Sequence, residues 1–304
     1  METFDIAIIG SGPAGLTAGI YSVRGAASTV LFAGEKWGGQ LMLTSTIENY
    51  PGFVNGIEGP DLMVAMRAQA EKLGVKIVNV NVTEVDFSAR PFKINNSYLA
   101  KTVIIATGAE TLWLGVPGEK ELIGRGISSC APCDAPFFKE KNVGVVGGGD
   151  SAMEEALVLS KFAKNVTIIH RRAEFKASKI MQQKVLSNPK IKVLWNTEVQ
   201  EVIGVNKLEK IILKNNVDGK TSEFPVDGLF VAVGHSPSSK IFEDMIELDE
   251  KGFIKKSEIK EYQSATSVEG VFVAGDVHDH RYKQAITAAA YGCIAALDAL
   301  KYLE

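Results

Sequence analysis

Residues 4–32 read FDIAIIGSGPAGLTAGIYSVRGAASTVLF: an apolar run, a glycine-rich turn, a stretch with helical spacing and a second apolar run. Phe4 to Ile9 has the composition of a buried strand,. Pro13 to about Arg24 reads as a helix, with Leu16, Ile20 and Val23 on one face, and Thr29 to Phe32 as the next strand,. The turn between them is Gly10-Ser11-Gly12-Pro13-Ala14-Gly15. In such a turn one glycine permits the tight bend, the next lets backbone approach a pyrophosphate, and the last lets helix and strand pack closely. The helix N-terminus then offers free N–H groups to the phosphates.

The unit recurs. Val143 to Val146 reads as a strand, Gly147-Gly148-Gly149-Asp150-Ser151-Ala152 as the turn, Ser151 to about Ala163 as the helix, and Val166 to Ile169 as the second strand. Two further runs echo one another, Val103-Ile104-Ile105-Ala106-Thr107-Gly108 and Leu229-Phe230-Val231-Ala232-Val233-Gly234. The spacing from Gly10 to Gly147 is close to that from Gly108 to Gly234, so the chain reads as a duplication. The expected fold class is α/β, with two Rossmann-like, doubly wound domains, each binding its nucleotide at the carboxyl ends of the strands. Trp113 to Gly118 and Ile241 to Glu247 are the expected crossovers. They give a first domain of 1–113 and 244–304 that carries a second, 114–243, as an insertion,.

Composition narrows the function. The 304 residues are 46% hydrophobic and 23% charged, with a net charge of -3 and no long Lys/Arg run, so nucleic acid and membrane surfaces are not expected partners,. The apolar strand follows Met1 almost at once, leaving no room for a secretion signal,. The longest apolar stretch, Ala285 to Leu300, is broken by Tyr291, Gly292 and Asp298 and reads as a buried helix,. Three cysteines are too few for a disulfide framework and fit a reducing compartment, so a cytoplasmic location is expected,. Cys293 reads as a packed thiol.

The second nucleotide site discriminates between cofactors. Its second strand runs into His170-Arg171-Arg172, with Lys176 beyond and no carboxylate at the ribose position. Cations there favour a 2′-phosphate, so Gly147, Gly149, Asp150, Ser151, His170, Arg171, Arg172 and Lys176 are expected to hold NADPH. The first site lacks an acid at the end of its second strand, and Glu35 is the nearest candidate,. Val271-Phe272-Val273-Ala274-Gly275-Asp276 brings a buried strand to a carboxylate suited to a flavin's sugar-alcohol hydroxyls. Lys283-Gln284-Ala285-Ile286 opens an alanine-rich helix whose N-terminus would stabilise negative charge on the ring,.

Between the two turns lies Cys130-Ala131-Pro132-Cys133-Asp134. A CxxC can bind zinc, staple a loop or exchange with other disulfides. Structural zinc takes four ligands, and the remaining cysteine and four histidines have no finger-like spacing, so no metal is expected and redox exchange is favoured,. Pro132 suits the first turn of a short helix, which lowers thiol pKa; Asp134 reads either as a carboxylate that stabilises the helix start or, the favoured reading, as an acid that protonates the leaving dithiol.

Taken together, GSGPAG at Gly10, GGQL at Gly38, ENYPGF at Glu48, CAPCD at Cys130, GGGDSAMEEA at Gly147, HRR at His170, GHSP at Gly234 and the run from Ala274 to Ala299 resemble the low-molecular-weight thioredoxin reductases, class II of the pyridine nucleotide-disulfide oxidoreductases. The resemblance implies a homodimeric flavoenzyme that moves a hydride from NADPH to FAD and electrons on through the CxxC to thioredoxin. It implies that Cys133 works at the flavin and Cys130 exchanges with thioredoxin, and that the inserted domain rotates so nicotinamide and dithiol take turns. FAD contacts are then expected from Gly10, Ser11, Gly12, Pro13, Ala14, Glu35, Gly38, Gly39, Gln40, Asn49, Thr107, Gly108, Asp276, Gln284, Ala285 and Ile286. The family commonly has Thr or Val at Pro132, Gly at Ala135 and Arg at Lys176; Lys offers a point charge rather than a fork. Arg125 and Lys139 are candidates for an acidic partner surface. The alternative is a flavoprotein whose dithiol serves another thioredoxin-like or glutaredoxin-like acceptor.

Overall fold

The computed structural model describes residues 1–258 and 261–304. The helices that position the sites are α1 (Pro13–Arg24), α2 (Gly59–Lys72), α3 (Ala131–Asp134), α4 (Asp150–Leu159), α5 (Lys179–Leu186) and α6 (Ala285–Leu303). The chain divides into two compact units, Met1–Glu110 with Ser236–Glu304, and Thr111–His235.

In the first unit, parallel strands Lys76–Val78, Thr29–Phe32, Glu2–Ile9 and Tyr98–Ile105 lie side by side, and Val271–Val273 adds a further parallel neighbour to the last. An antiparallel extension, Phe92–Ile94 and Val85–Asp86, completes the sheet. The period of two along a strand sorts its residues between faces. Ile6 and Ile8 pack with Leu16, Ile104 and the alanines of α6, while Ala7 and Ile9 pack with Phe32, Phe242 and Ile246 on the other face. The small residues of α6 bring it hard against α1: a Cβ on Gly292 would stand 2.1 Å from the Ala14 carbonyl oxygen. By length and composition α6 could cross a membrane, but here Ala288, Ala289, Gly292, Ala295, Ala296 and Ala299 are buried in the unit.

The second unit repeats the plan with a parallel sheet ordered Ile127–Ser128, Gly228–Val231, Asn142–Val146, Asn165–Ile169, Ile191–Leu194, and adds the antiparallel meander Thr197–Ile203, Lys210–Asn215, Thr221–Pro225. α4 covers one face through Ala152, Met153 and Ala156, and the meander covers the other through Val199, Ile211 and Leu213. Its helix ends at Leu159 rather than near Ala163, because Ser160 to Ala163 close it with a turn.

The chain passes between units at 110–111 and 235–236, inside two short strands, Ala109–Thr111 and His235–Pro237, that pair with each other. The expected boundaries at 113/114 and 243/244 lie beyond these crossings. Phe242 and Ile246 are buried in the core of the first unit, so the segment expected as the return is already part of that unit.

Candidate functional site

The dithiol sits on a single helical turn. Cys130 and Cys133 are joined in a disulfide, with their Cα atoms 5.3 Å apart. The N–H groups of Cys133 and Asp134 donate to the Cys130 carbonyl at 3.2 and 3.1 Å. Side chains from outside α3 take the preceding donors: Cys130 N–H bonds to Ser128 Oγ at 3.0 Å, and Ala131 N–H to Glu155 Oε2 at 2.6 Å. Ala131 and Ala135 are fully buried against Ala152, Met153 and Ala156, while Pro132 between them is exposed. Ala135 thus puts its methyl group into the core. Phe138 anchors the following turn edge-on against Phe230, with centroids 5.2 Å apart. Burial pushes the Asp134 carboxyl above its ordinary range, and the Ser128 hydroxyl pulls it partly back. A carboxyl held this way keeps a proton to higher pH and can hand it to a departing sulfur. Arg125 and Lys139, on the flanks of the turn, are both exposed.

A cavity of about 660 Å³ opens at the glycine turn of the second unit. Gly147, Gly149 and Ser151 line it, as do His170, Arg171, Arg172 and Lys176. A Cβ on Gly149 would meet nothing within 4 Å, leaving room for phosphate. His170 is buried; its Nε2 pairs with the Glu174 carbonyl at 2.8 Å, and its ring packs on Phe175 and Trp195. It works as a strut for the loop, while Arg171 and Arg172 are exposed. The loop closes back on the turn through Lys176 N–H and Ala177 N–H, which donate to the Gly148 carbonyl at 2.8 and 3.1 Å. Asp150 is not on the cavity wall. Its Oδ1 accepts from Ser178 N–H at 3.0 Å and Ser178 Oγ at 2.8 Å, fastening the start of α4 to the residue before α5.

A second cavity, of about 550 Å³, lies within the first unit. Gly10, Ser11, Gly12, Pro13 and Ala14 form one wall, and Gly39, Gln40, Thr107 and Gly108 another. Asp276, Gln284 and Ala285 close it. Ser11 contributes backbone, because its hydroxyl donates to the Ala33 carbonyl and accepts from Gly38 N–H. Gln284 caps α6 reciprocally with Thr287, and its Oε1 accepts from Asn49 Nδ2 at 3.4 Å. Glu35, Gly38, Asn49 and Ile286 stand off the wall; Glu35 is exposed and is held by its N–H on Asn81 Oδ1. Asp276 Oδ1 is buried with no hydrogen-bond partner among the described residues. Burial, followed by the charge of Asp279, pushes this carboxyl up to about 7, against a smaller pull from Lys283. A lone buried acceptor on a cavity wall fits a ligand that brings hydroxyl donors, as the ribityl chain of a flavin does.

Sequence reading missed Asn81, Val82 and Lys240 around this cavity and Trp113, Glu198 and Gln200 around the other. Asn81 and Val82 follow the outer parallel strand Lys76–Val78, whose short apolar run was the available signal.

Residues 4–292 match the pyridine nucleotide-disulphide oxidoreductase family. The chain is 46% identical to the thioredoxin reductase of Rickettsia typhi, over 99% of each chain. It is 47% identical to that of Streptomyces clavuligerus, over 98% of this chain and 94% of the relative. Among solved structures it resembles the thioredoxin reductase of Giardia duodenalis at 42% identity and a TM-score of 0.94, covering 100% of this chain and 99% of the other. With both cavities and the dithiol in place, the chain belongs to the pyridine nucleotide-disulphide oxidoreductase family, among its low-molecular-weight thioredoxin reductases.

Proposed function

We propose that the chain is an NADPH-dependent flavoprotein that reduces the disulfide of thioredoxin through Cys130 and Cys133. The observation that carries this reading is the closed disulfide on a turn anchored by the buried Ala131 and Ala135, with Asp134 beside it and the Arg171–Arg172 nucleotide cavity in the same unit. FAD, when bound, takes a hydride from NADPH and supplies two electrons to the disulfide. The glycine turn at Gly10 would receive its pyrophosphate and Asp276 its sugar-alcohol hydroxyls,.

Reduction breaks the Cys130–Cys133 bond; one sulfur departs as thiolate and takes the proton that Asp134 holds. Cys130, as thiolate, then attacks the disulfide of oxidised thioredoxin to form a mixed disulfide. Cys133 attacks Cys130 in turn, which releases dithiol thioredoxin and restores the internal disulfide. Arg171, Arg172 and Lys176 would select NADPH by its 2′-phosphate. A different thioredoxin-like or glutaredoxin-like acceptor is not favoured, since the relatives of near-full length are thioredoxin reductases.

The working form is a homodimer in a reducing, cytoplasmic compartment. Tyr21 of α1 with Ile286 and Leu297 of α6 leaves exposed apolar surface, which supports self-association, and the cysteine usage supports the compartment,. The test follows NADPH-dependent reduction of purified thioredoxin by the yellow protein before and after Cys133→Ser. Loss of turnover is expected, and unchanged turnover overturns the reading.

A further inference from the structure

Glu155 projects from α4 onto the start of the dithiol turn and accepts the Ala131 N–H at 2.6 Å. The same helix begins at the glycine turn of the nucleotide cavity and lends Ser151 to its wall. We infer that Glu155 is a positioning residue for the redox pair, which holds the turn through the Ala131 N–H and uses its charge to keep the dithiol less acidic and more strongly reducing. The inference rests on the redox role proposed above for Cys130 and Cys133.

The physical argument starts from the N–H groups at the head of a helical turn, whose positive ends favour a thiolate nearby; in this turn each is already engaged, by Ser128, by Glu155 or by the Cys130 carbonyl. Here a carboxylate lies directly on one of them. It offsets part of that positive potential, and a like charge near a thiolate disfavours ionisation. A dithiol whose thiolate is less stabilised gives up its electrons more readily: the two cysteines close to a disulfide, and two electrons pass to the acceptor disulfide. Arg125 and Lys139 are exposed cations that flank the turn in sequence. Asp134 lies on it, α4 brings Asp150 and Glu154 besides Glu155, and the turn Ala135–Phe138 brings none. Asp150 is engaged by Ser178 and Glu154 is exposed, so Glu155 is the carboxylate on α4 bonded to the backbone of the turn.

Glu155→Gln separates charge from hydrogen bond, because Gln keeps an oxygen for the Ala131 N–H. Glu155→Ala removes both. In holoenzyme, two quantities are read: the equilibrium of the Cys130–Cys133 pair against dithiothreitol buffers of set ratio, and the pH dependence of iodoacetamide alkylation of the reduced pair. Glu155→Gln is expected to shift the equilibrium toward the dithiol by about tenfold, about 30 mV. It is also expected to raise alkylation at pH below the thiol pKa by a similar factor. A Gln variant that matches the parent in both readouts, or that shifts them the other way, overturns the inference; a Glu155→Ala variant that fails to fold leaves the Gln result to decide. Because the buffer equilibrium needs neither NADPH nor thioredoxin, failure of NADPH to reduce the pair would count against the proposed function alone.

Discussion

The imidazole of His170 stands where a side chain on Gly148 would have to go: a Cβ there would lie 2.1 Å from its Cε1. The ring is fixed by Glu174, Phe175 and Trp195, so an added methyl group must move the loop that carries Arg171 and Arg172. Overpacking of this kind costs about 1–3 kcal/mol. Gly148→Ala is therefore expected to raise the KM for NADPH by roughly tenfold, with the disulfide still reducible by dithiothreitol. Initial rates against NADPH concentration check this, and an unchanged KM would show that the loop yields.

The arginines themselves predict a change in cofactor choice. Both are exposed at the cavity, with their backbone carbonyls held by Asn216 and Asn196. Charge-assisted hydrogen bonds contribute about 1.5–3 kcal/mol each. Replacing Arg171 and Arg172 by Gln is expected to raise the KM for NADPH by roughly 100- to 10,000-fold and to leave that for NADH nearly unchanged. Equal effects on the two cofactors would remove the 2′-phosphate assignment.

The duplicated frame was legible because its steric demands recur in the residues. A Cβ on Gly10 would meet the Ala106 carbonyl oxygen at 2.2 Å, and one on Gly147 would meet that of Ala232 at 2.5 Å. The two apolar echoes before Gly108 and Gly234 are the strands that supply those carbonyls. Side-chain roles were harder to read, because spacing places a residue near a cavity without fixing where its polar atoms go. Asp150 and Ser11 occupy the expected turns, but Asp150 fastens Ser178 and the Ser11 hydroxyl joins Ala33 to Gly38. The return crossing was displaced for a similar reason: Ile241 to Glu247 reads as a connector, but Phe242 and Ile246 find a core to enter.

The proposed role of Asp134 as proton donor predicts a pH dependence for the dithiol. Burial raises its carboxyl, so the protonated acid persists to higher pH than in an exposed aspartate,. Turnover that needs this proton is expected to fall as pH rises through that raised pKa. Asp134→Asn should lower the thioredoxin-dependent rate by about 100-fold or more and abolish this limb of the pH profile. NADPH-to-flavin reduction followed in the absence of thioredoxin should be little altered. A profile of unchanged shape in the Asn variant would assign the proton to another group.

Asp276 predicts two effects of opposite sign from one substitution. In the flavin-free protein its carboxyl titrates near 7, well above the ordinary 3.8, mainly because it is buried. As pH rises from about 4 to about 7 the unfolded chain has already released this proton while the folded chain still holds it. Stability of the flavin-free protein is therefore lost across that window and stays lower above it, by about 4 kcal/mol at most. Asn does not titrate, so flavin-free Asp276→Asn should match the parent near pH 4 and exceed its melting temperature at pH 8. With FAD present the order should reverse, because hydroxyl donors hydrogen-bond more strongly to a carboxylate than to an amide oxygen. The variant should then release FAD more readily on dilution. Melting curves of both flavin-free proteins at the two pH values, together with flavin fluorescence on dilution, test both halves; a stability gap that does not change with pH would show that Asp276 is solvated rather than buried and unpaired.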